Sequence, residues 1–389
     1  MEMESNENIP LWLALVPVAA LVLLLGASVS LFGDGSSGGP NQIALLLAAG
    51  VAQLIGMRLG WNALQEAMAA GIGLAINACL ILLMVGLLIG VWMLCGTAPS
   101  LIYFGLGMLE PHFFYPAACL ICALVSLTIG SSWTTAGTVG LALVGISQVM
   151  GLSSEVTAGA VISGAYFGDK MSPLSDTTNL SASVAGVDLY KHVRYNLITT
   201  IPAAIICLVI YTVAGFFIPT SSTVDVGTQL AALQETFKIS GWLMLIPVVT
   251  IYLIFKKVPP VLTLFISAFV GALVAFWAQP QIIEQIVTGM SSFKEFFYAI
   301  LKMMSSEISI EASDPMITTL ASTRGMSGMV NTVWIIICVI MLGGALSASG
   351  MIQTITESML RFMHNLVSMV TSTVLTCIFC NIILADQYM

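Results

Sequence analysis

Charge is what this 389-residue chain has least of: 11 basic and 19 acidic side chains leave only 8% of the sequence charged, with a formal net charge of −8. The largest basic cluster is the pair Lys256-Lys257, so no cationic face exists to hold a nucleic acid. Three histidines, His112, His192 and His364, are too widely spaced to build a zinc site or a Ser-His-Asp triad. A glycine-rich phosphate loop of the Walker type is missing, which argues against ATP-driven work. The first ten residues carry Glu2, Glu4 and Glu7 where a secretory signal would carry positive charge, so the apolar run Leu11 to Leu25 reads as a retained first helix. Eight cysteines all fall in apolar stretches. Cys119/Cys122 and Cys377/Cys380 have C-x-x-C spacing, but no His or carboxylate stands nearby to complete a metal site, and they read as small apolar helix residues.

What the chain has in abundance is apolar length. Hydrophobic residues make up 58% of it and mean hydropathy is +1.01. No stretch between the apolar runs is long or varied enough to bury a core of its own. Crossing a bilayer as a helix takes roughly 17 to 25 apolar residues. Such runs lie near 10–32, 41–57, 72–95, 113–130, 197–218, 259–278, 331–350 and 367–388. Shorter or more polar stretches at 133–151, 156–168 and 241–255 are expected to be broken, tilted or re-entrant. The charged stretch 279–330 is expected to lie mostly outside the hydrocarbon, with an interfacial amphipathic helix around Phe293 to Met304. Lys191, His192 and Arg194 read as a positive flank before the run Leu197 to Ile218.

Against this background, Gly164 to Asn179 concentrates two carboxylates, an amide, four hydroxyls and a proline in sixteen residues. Lipid cannot hydrogen-bond a free backbone, so a proline-broken segment at membrane depth survives only inside protein or along a wet cavity. Asp169 and Asp176 stand seven positions apart, with Pro173 placing a helix break near Met171–Ser172. The competing readings are a solvated surface turn for Asp169-Lys170 and a simple helix N-cap for Asp176-Thr177-Thr178-Asn179.

Laying Gly71–Gly96 on Gly325–Gly350 reveals an internal repeat at a constant offset of 254. Gly71/Gly325, Asn77/Asn331, Gly90/Gly344 and Gly96/Gly350 coincide without gaps, as do several apolar positions. At that offset residues 172–179 would have counterparts near 426–433, so the second copy is expected to be incomplete in this chain, which stops just after Asp386-Gln387-Tyr388. Duplicated halves with polar, broken helices are a common plan for secondary transporters.

At Gly164–Asn179, continuing to Asp188, the sequence resembles the NhaC-type sodium/proton antiporter family. Leu31–Gln42, Gly130–Thr138 and Leu384–Met389 carry the same likeness. The resemblance implies an all-α, polytopic integral membrane transporter with internal repeats and broken or re-entrant helices. It forms one transmembrane domain over 1–389, with a first repeat at about 10–220 holding the core motif 164–179 and a second, incomplete repeat at about 241–389. It also implies antiport across the bacterial plasma membrane, with Na⁺ and H⁺ as substrates, no cofactor and no enzymatic chemistry. The family includes exchangers of organic acids such as malate and lactate, so that pairing is the alternative, as is an inactive fragment of such a transporter. From a different class comes an intramembrane protease using Asp169 and Asp176 as a proton-sharing pair.

The broken helix suits cation binding on chemical grounds. Its free carbonyls, with Ser172, Ser175, Thr177, Thr178 and Asn179, are hard oxygen donors that match sodium better than a soft metal. Burial favours a protonated carboxylate and a bound cation favours an ionised one, so Na⁺ and H⁺ compete for one site. Asp176, with Asp169 next to it in line, is the expected site of exchange. Ser131, Ser132, Thr134 and Thr135 line it or else serve helix packing, for which the same amino acids are used. Asp386 is expected to enter from the second repeat. Asp34, among Gly33, Gly35, Ser36 and Ser37, reads first as part of a flexible loop, with a lining role implied only by the resemblance.

Overall fold

The structure is a computed structural model that describes residues 9–108, 110–173, 175, 177–178, 181–182, 186–218, 226–256, 258–287, 292–312, 315–360 and 366–383. Among these residues the chain is helical apart from turns and one antiparallel bridge between Ile308 and Thr323. Each long apolar run forms a helix. They are α1 (Leu11–Phe32), α2 (Pro40–Gly56), α3 (Trp61–Leu94), α5 (Phe114–Ile129), α9 (Leu189–Phe217), α12 (Pro260–Ala278), α16 (Ser327–Ala348) and α18 (Leu366–Ile383). Five, namely α1, the 75–94 part of α3, α9, α12 and α16, are long and apolar enough to cross a membrane. α9 makes the point physically: Ile198, Ile206, Val209 and Phe217 are all more than half exposed. A helix displaying such a broad face of large apolar side chains belongs in hydrocarbon rather than water.

Of the three doubtful stretches, 133–151 and 241–255 are irregular, whereas 156–168 lies within a single unbroken helix, Ser154–Met171. Between α4 (Thr97–Met108) and α8 (Ser154–Met171), the 133–151 stretch comprises a single turn α6 (Ser132–Thr135), a π turn at Ala136–Gly140, and α7 (Leu141–Val149). α10 (Val226–Thr236) and α11 (Leu245–Phe255) are apolar helices of one bent pair, turned by 92° at the break between Thr236 and Gly241. Gln279 pins that bend. Its buried amide accepts from Lys238 N–H at 3.0 Å and donates to Lys238 O at 2.9 Å, satisfying both groups that the break frees.

In 279–330 the elements are short: α13 (Pro280–Ile286), α14 (Ser292–Ser305) and α15 (Pro315–Ala321), followed after α16 by α17 (Met351–Leu360). α14 is amphipathic, with Ala299, Ile300 and Met303 buried and Phe297, Tyr298 and Leu301 exposed.

The chain divides into two compact units, 1–79 with 330–389, and 80–329. In the first, α1 packs on α2 and α17 around Ala14, Leu45, Ala48 and Met351. In the second, α5 and α8 form the most intimate pair, flanked by α9, over a core that includes Trp92, Phe114, Tyr115 and Phe237. The offset of 254 that aligns the sequence copies also carries 61–94 onto 315–348, the range of α15 and α16. It likewise carries 97–108 onto the range of α17 and 114–129 onto that of α18. Gly96, which follows 61–94, and Gly350, which follows its counterpart 315–348, both adopt left-handed φ, 79° and 73°.

Candidate functional site

Two helix breaks in the second unit generate the site. α5 stops because Gly130 turns left-handed (φ 72°, ψ 32°) while its N–H still reaches Ser126 O at 2.7 Å. Ser131 is extended and restarts the chain, its hydroxyl accepting from Thr134 N–H at 3.3 Å as an N-cap. The π turn that follows widens the coil before α7 resumes. On the opposite side, Ser153 caps the start of α8, and Pro173 terminates it. The helix ends at Met171 and Ser172 is extended (φ −80°, ψ 124°).

The hydroxyls of 131–138 look alike in sequence but do different things. Thr135 donates to Ser131 O at 2.9 Å, Thr138 donates to Thr134 O at 2.6 Å, and Ser131 and Thr134 share a hydrogen bond at 2.9 Å. These three interactions close on their own helix. Ser132 alone reaches across, donating to Asp169 Oδ2 at 2.9 Å. Asp169 is 5% exposed and Ser132 3%. The other carboxylate oxygen, Oδ1, is buried with no hydrogen-bond partner among the described residues. Lys170 beside it is exposed, and the single ion pair among the described residues, Arg324–Glu307, is a surface one. Asp169 is thus a buried acid with one donor and no countercharge in the described surroundings.

Beyond the break the chain folds back beneath this carboxylate. Thr178 donates to the main-chain oxygens of Asp169 and Lys170, both at 3.3 Å, satisfying carbonyls the helix end leaves free. Ser172, Ser175 and Thr178 are buried, and Ser175 shares a hydrogen bond with Thr177 at 2.9 Å. Asp176, Asn179 and Asp386 lie outside the described residues. Asp34 belongs to the first unit, in a 3₁₀ helix, with its side chain outside the described set. The structure therefore brings together Asp169, Ser132 and Thr178.

What sequence reading missed is the glue that holds α8 in place. A Cβ on Gly164 would collide with Cys119 O, and one on Gly168 with Ala123 O, so the α5 and α8 backbones are in direct contact. Ser126 donates to Ala165 O at 2.6 Å across the same seam. The signal was available in Gly164 and Gly168, four apart and so on one face of α8, opposite a lone serine in an apolar helix.

The model of the Na⁺/H⁺ antiporter family matches residues 164–389, more than half of the chain. The chain belongs to that family. It is 33% identical to the Na(+)/H(+) antiporter NhaC of Alkalihalophilus pseudofirmus over 350 residues, covering 90% of this chain and 72% of that one. To the malate-2H(+)/Na(+)-lactate antiporter of Bacillus subtilis it is 33% identical over 390 residues, 99% of this chain and 79% of that one. The arginine/ornithine antiporter ArcD of Halobacterium salinarum is 32% identical over 383 residues, 97% of this chain and 75% of that one. This antiporter is a multi-pass protein of the bacterial plasma membrane, and its family is one of transporters that exchange solutes.

Proposed function

We propose that this antiporter exchanges Na⁺ for H⁺ by letting the two ions compete for the buried carboxylate of Asp169. The observation that carries the reading is Asp169 itself: buried, held by Ser132 through one oxygen, the other oxygen unpartnered among the described residues. A buried carboxylate without a countercharge is costly, and either a proton or a sodium ion relieves it. Asp176, expected from the sequence as the leading carboxylate, stands in the same motif and is assigned to the same site, with Ser172, Thr177, Thr178 and Asn179 as neutral oxygen donors. Duplication belongs to the reading as well. It is supported by the offset of 254, which aligns glycines, asparagines and helix boundaries alike.

Sodium-driven pH change in inverted membrane vesicles tests the assignment. Asp169→Asn, which keeps shape and removes the titratable oxygen, abolishes exchange, whereas Asp169→Glu retains part of it. Undiminished exchange in Asp169→Asn refutes the assignment.

The malate/lactate relative favours a second reading, sodium-linked exchange of organic acids. A carboxylate cargo needs a cation or a helix N-terminus with basic neighbours. Lys170 is the one base in the polar motif, and it is exposed. Adding malate or lactate to the same vesicles separates the readings: dependence of the pH change on the acid supports the second.

A further inference from the structure

The motif Leu31–Gln42 is not used by the site at Asp169. Its composition reads as a loose connection, yet the chain there is built. α1 ends at Phe32, Gly33 turns to φ 51°, residues Gly33–Gly38 form a 3₁₀ helix, and Gly39 (φ 156°) delivers the chain to Pro40, the first residue of α2. Three polar side chains of this corner are buried, Ser28 at 6% exposure, Ser36 at 7% and Gln42 at 0%. Ser28 donates to Asn41 Oδ1 at 2.7 Å, and Asn41 Nδ2 donates to Ser36 at 3.4 Å. The Gln42 amide nitrogen donates to the main-chain oxygens of Ser37 and Asn331 at 2.9 and 3.4 Å. Its oxygen, Oε1, is buried with no partner among the described residues.

A fully buried glutamine whose nitrogen is satisfied twice, and whose oxygen meets no partner among the described residues, needs a donor or a cation at that oxygen. The described oxygens of this corner are neutral: Gln42 Oε1, the carbonyls of Ser37 and Asn331, and the Ser36 hydroxyl, the Asp34 side chain lying outside the described residues. Neutral hard oxygens at an unwound helix end select a monovalent alkali cation. A divalent ion wants carboxylates, and a soft metal wants thiolate or imidazole. Pro40, lacking an N–H, removes one of the positive amide groups that the start of α2 would otherwise turn toward such an ion.

We infer that this corner of the first unit is a second sodium site, with Gln42 Oε1 as its defining ligand and the 3₁₀ carbonyls as the rest. The inference rests on the sodium reading above only for the choice of ion. The test is ²²Na⁺ binding to the purified full chain in detergent, for the parent protein, Asp169→Asn, Gln42→Leu, Gln42→Glu and the Asp169→Asn/Gln42→Leu double variant. Asp169→Asn is expected to keep a sodium-binding component that the double variant loses. Gln42→Glu, which replaces a neutral by an anionic ligand, is expected to tighten that component about tenfold. Binding untouched by both Gln42 variants means that a water satisfies Oε1, and overturns the inference. Complete loss of binding in Asp169→Asn with full binding in Gln42→Leu overturns it while sustaining the Asp169 assignment. A parent protein that binds no sodium overturns both.

Discussion

Removing a single hydroxyl at Ser132 tests the competition idea most directly. The Ser132 hydroxyl gives Asp169 its one hydrogen bond to a side-chain oxygen among the described residues, at 2.9 Å, with both residues at most 5% exposed. A hydrogen bond to a charged group contributes about 1.5–3 kcal/mol. The same bond to a protonated carboxyl contributes about 0.5–1.5 kcal/mol, so it favours the ionised carboxylate, the form that takes sodium, by about 1–1.5 kcal/mol. In Ser132→Ala that preference vanishes, and Oδ1 has no donor to compensate. At about 1.4 kcal/mol per factor of ten, sodium affinity falls about five- to tenfold at fixed pH. The helix itself is not disturbed, because its cap is Ser131 rather than Ser132. Initial rates of sodium-driven pH change across a range of sodium concentrations read this as a raised KM with the maximal rate retained, and Ser132→Thr restores it. Ser131→Ala is the control: it costs about 0.5–2 kcal/mol of stability through the lost cap but leaves the sodium KM unchanged. A Ser132→Ala protein with an unaltered sodium KM, or with a lower maximal rate alone, refutes the reasoning.

Other substitutions probe the frame. Gly164→Val drives a side chain into the carbonyl of Cys119, which is backbone and cannot swing away; a loss of about 1–3 kcal/mol or more is expected as a lowered thermal midpoint in detergent. Gln279→Leu strands the N–H and C=O of Lys238 at the 92° bend. Each buried unpaired group costs about 1–3 kcal/mol, so the same melting assay reports a large drop. Glu307→Gln breaks a 3.7 Å pair with Arg324 whose side chains are 69% and 71% exposed; the midpoint is expected to stay within the equivalent of about 1 kcal/mol.

Helix positions were legible in the sequence because bilayer thickness sets span length, and runs such as Leu11–Phe32 and Pro260–Ala278 have no alternative use. The break after Met171 was legible through Pro173, since proline restricts the residue before it. The distribution of roles among Ser131, Ser132, Thr134 and Thr135 was not legible. Small hydroxyl residues serve helix packing and ion lining equally well, and which one faces Asp169 depends on where Gly130 turns the chain. The Gly33–Gly39 segment misled for a related reason. Glycines that make a loop flexible are the same residues that permit an ordered turn at positive φ, and only burial of Ser36 and Gln42 distinguishes the two. Asp169 and Lys170 are adjacent in sequence and opposite in environment, one buried and one exposed, a difference set by the face of α8 that meets α5.

On the proposed reading, coupling needs no device beyond the cost of the empty site. Ionised Asp169 has one hydroxyl for support and no countercharge among the described residues, so the bare carboxylate is the least stable occupant of the buried position. Protonated or sodium-bound, it is neutral as a unit, and burial costs far less. A conformational step that moves this carboxylate between the two faces of the membrane is therefore favoured for the loaded forms and disfavoured for the bare one. Each crossing in one direction with sodium must then be answered by a crossing with a proton. Asp169→Asn carries no charge at this position without any ion, so it is expected to pass more freely between the two states while exchanging nothing. That combination, mobile but silent, separates a carrier that has lost its coupling from one that has lost its fold.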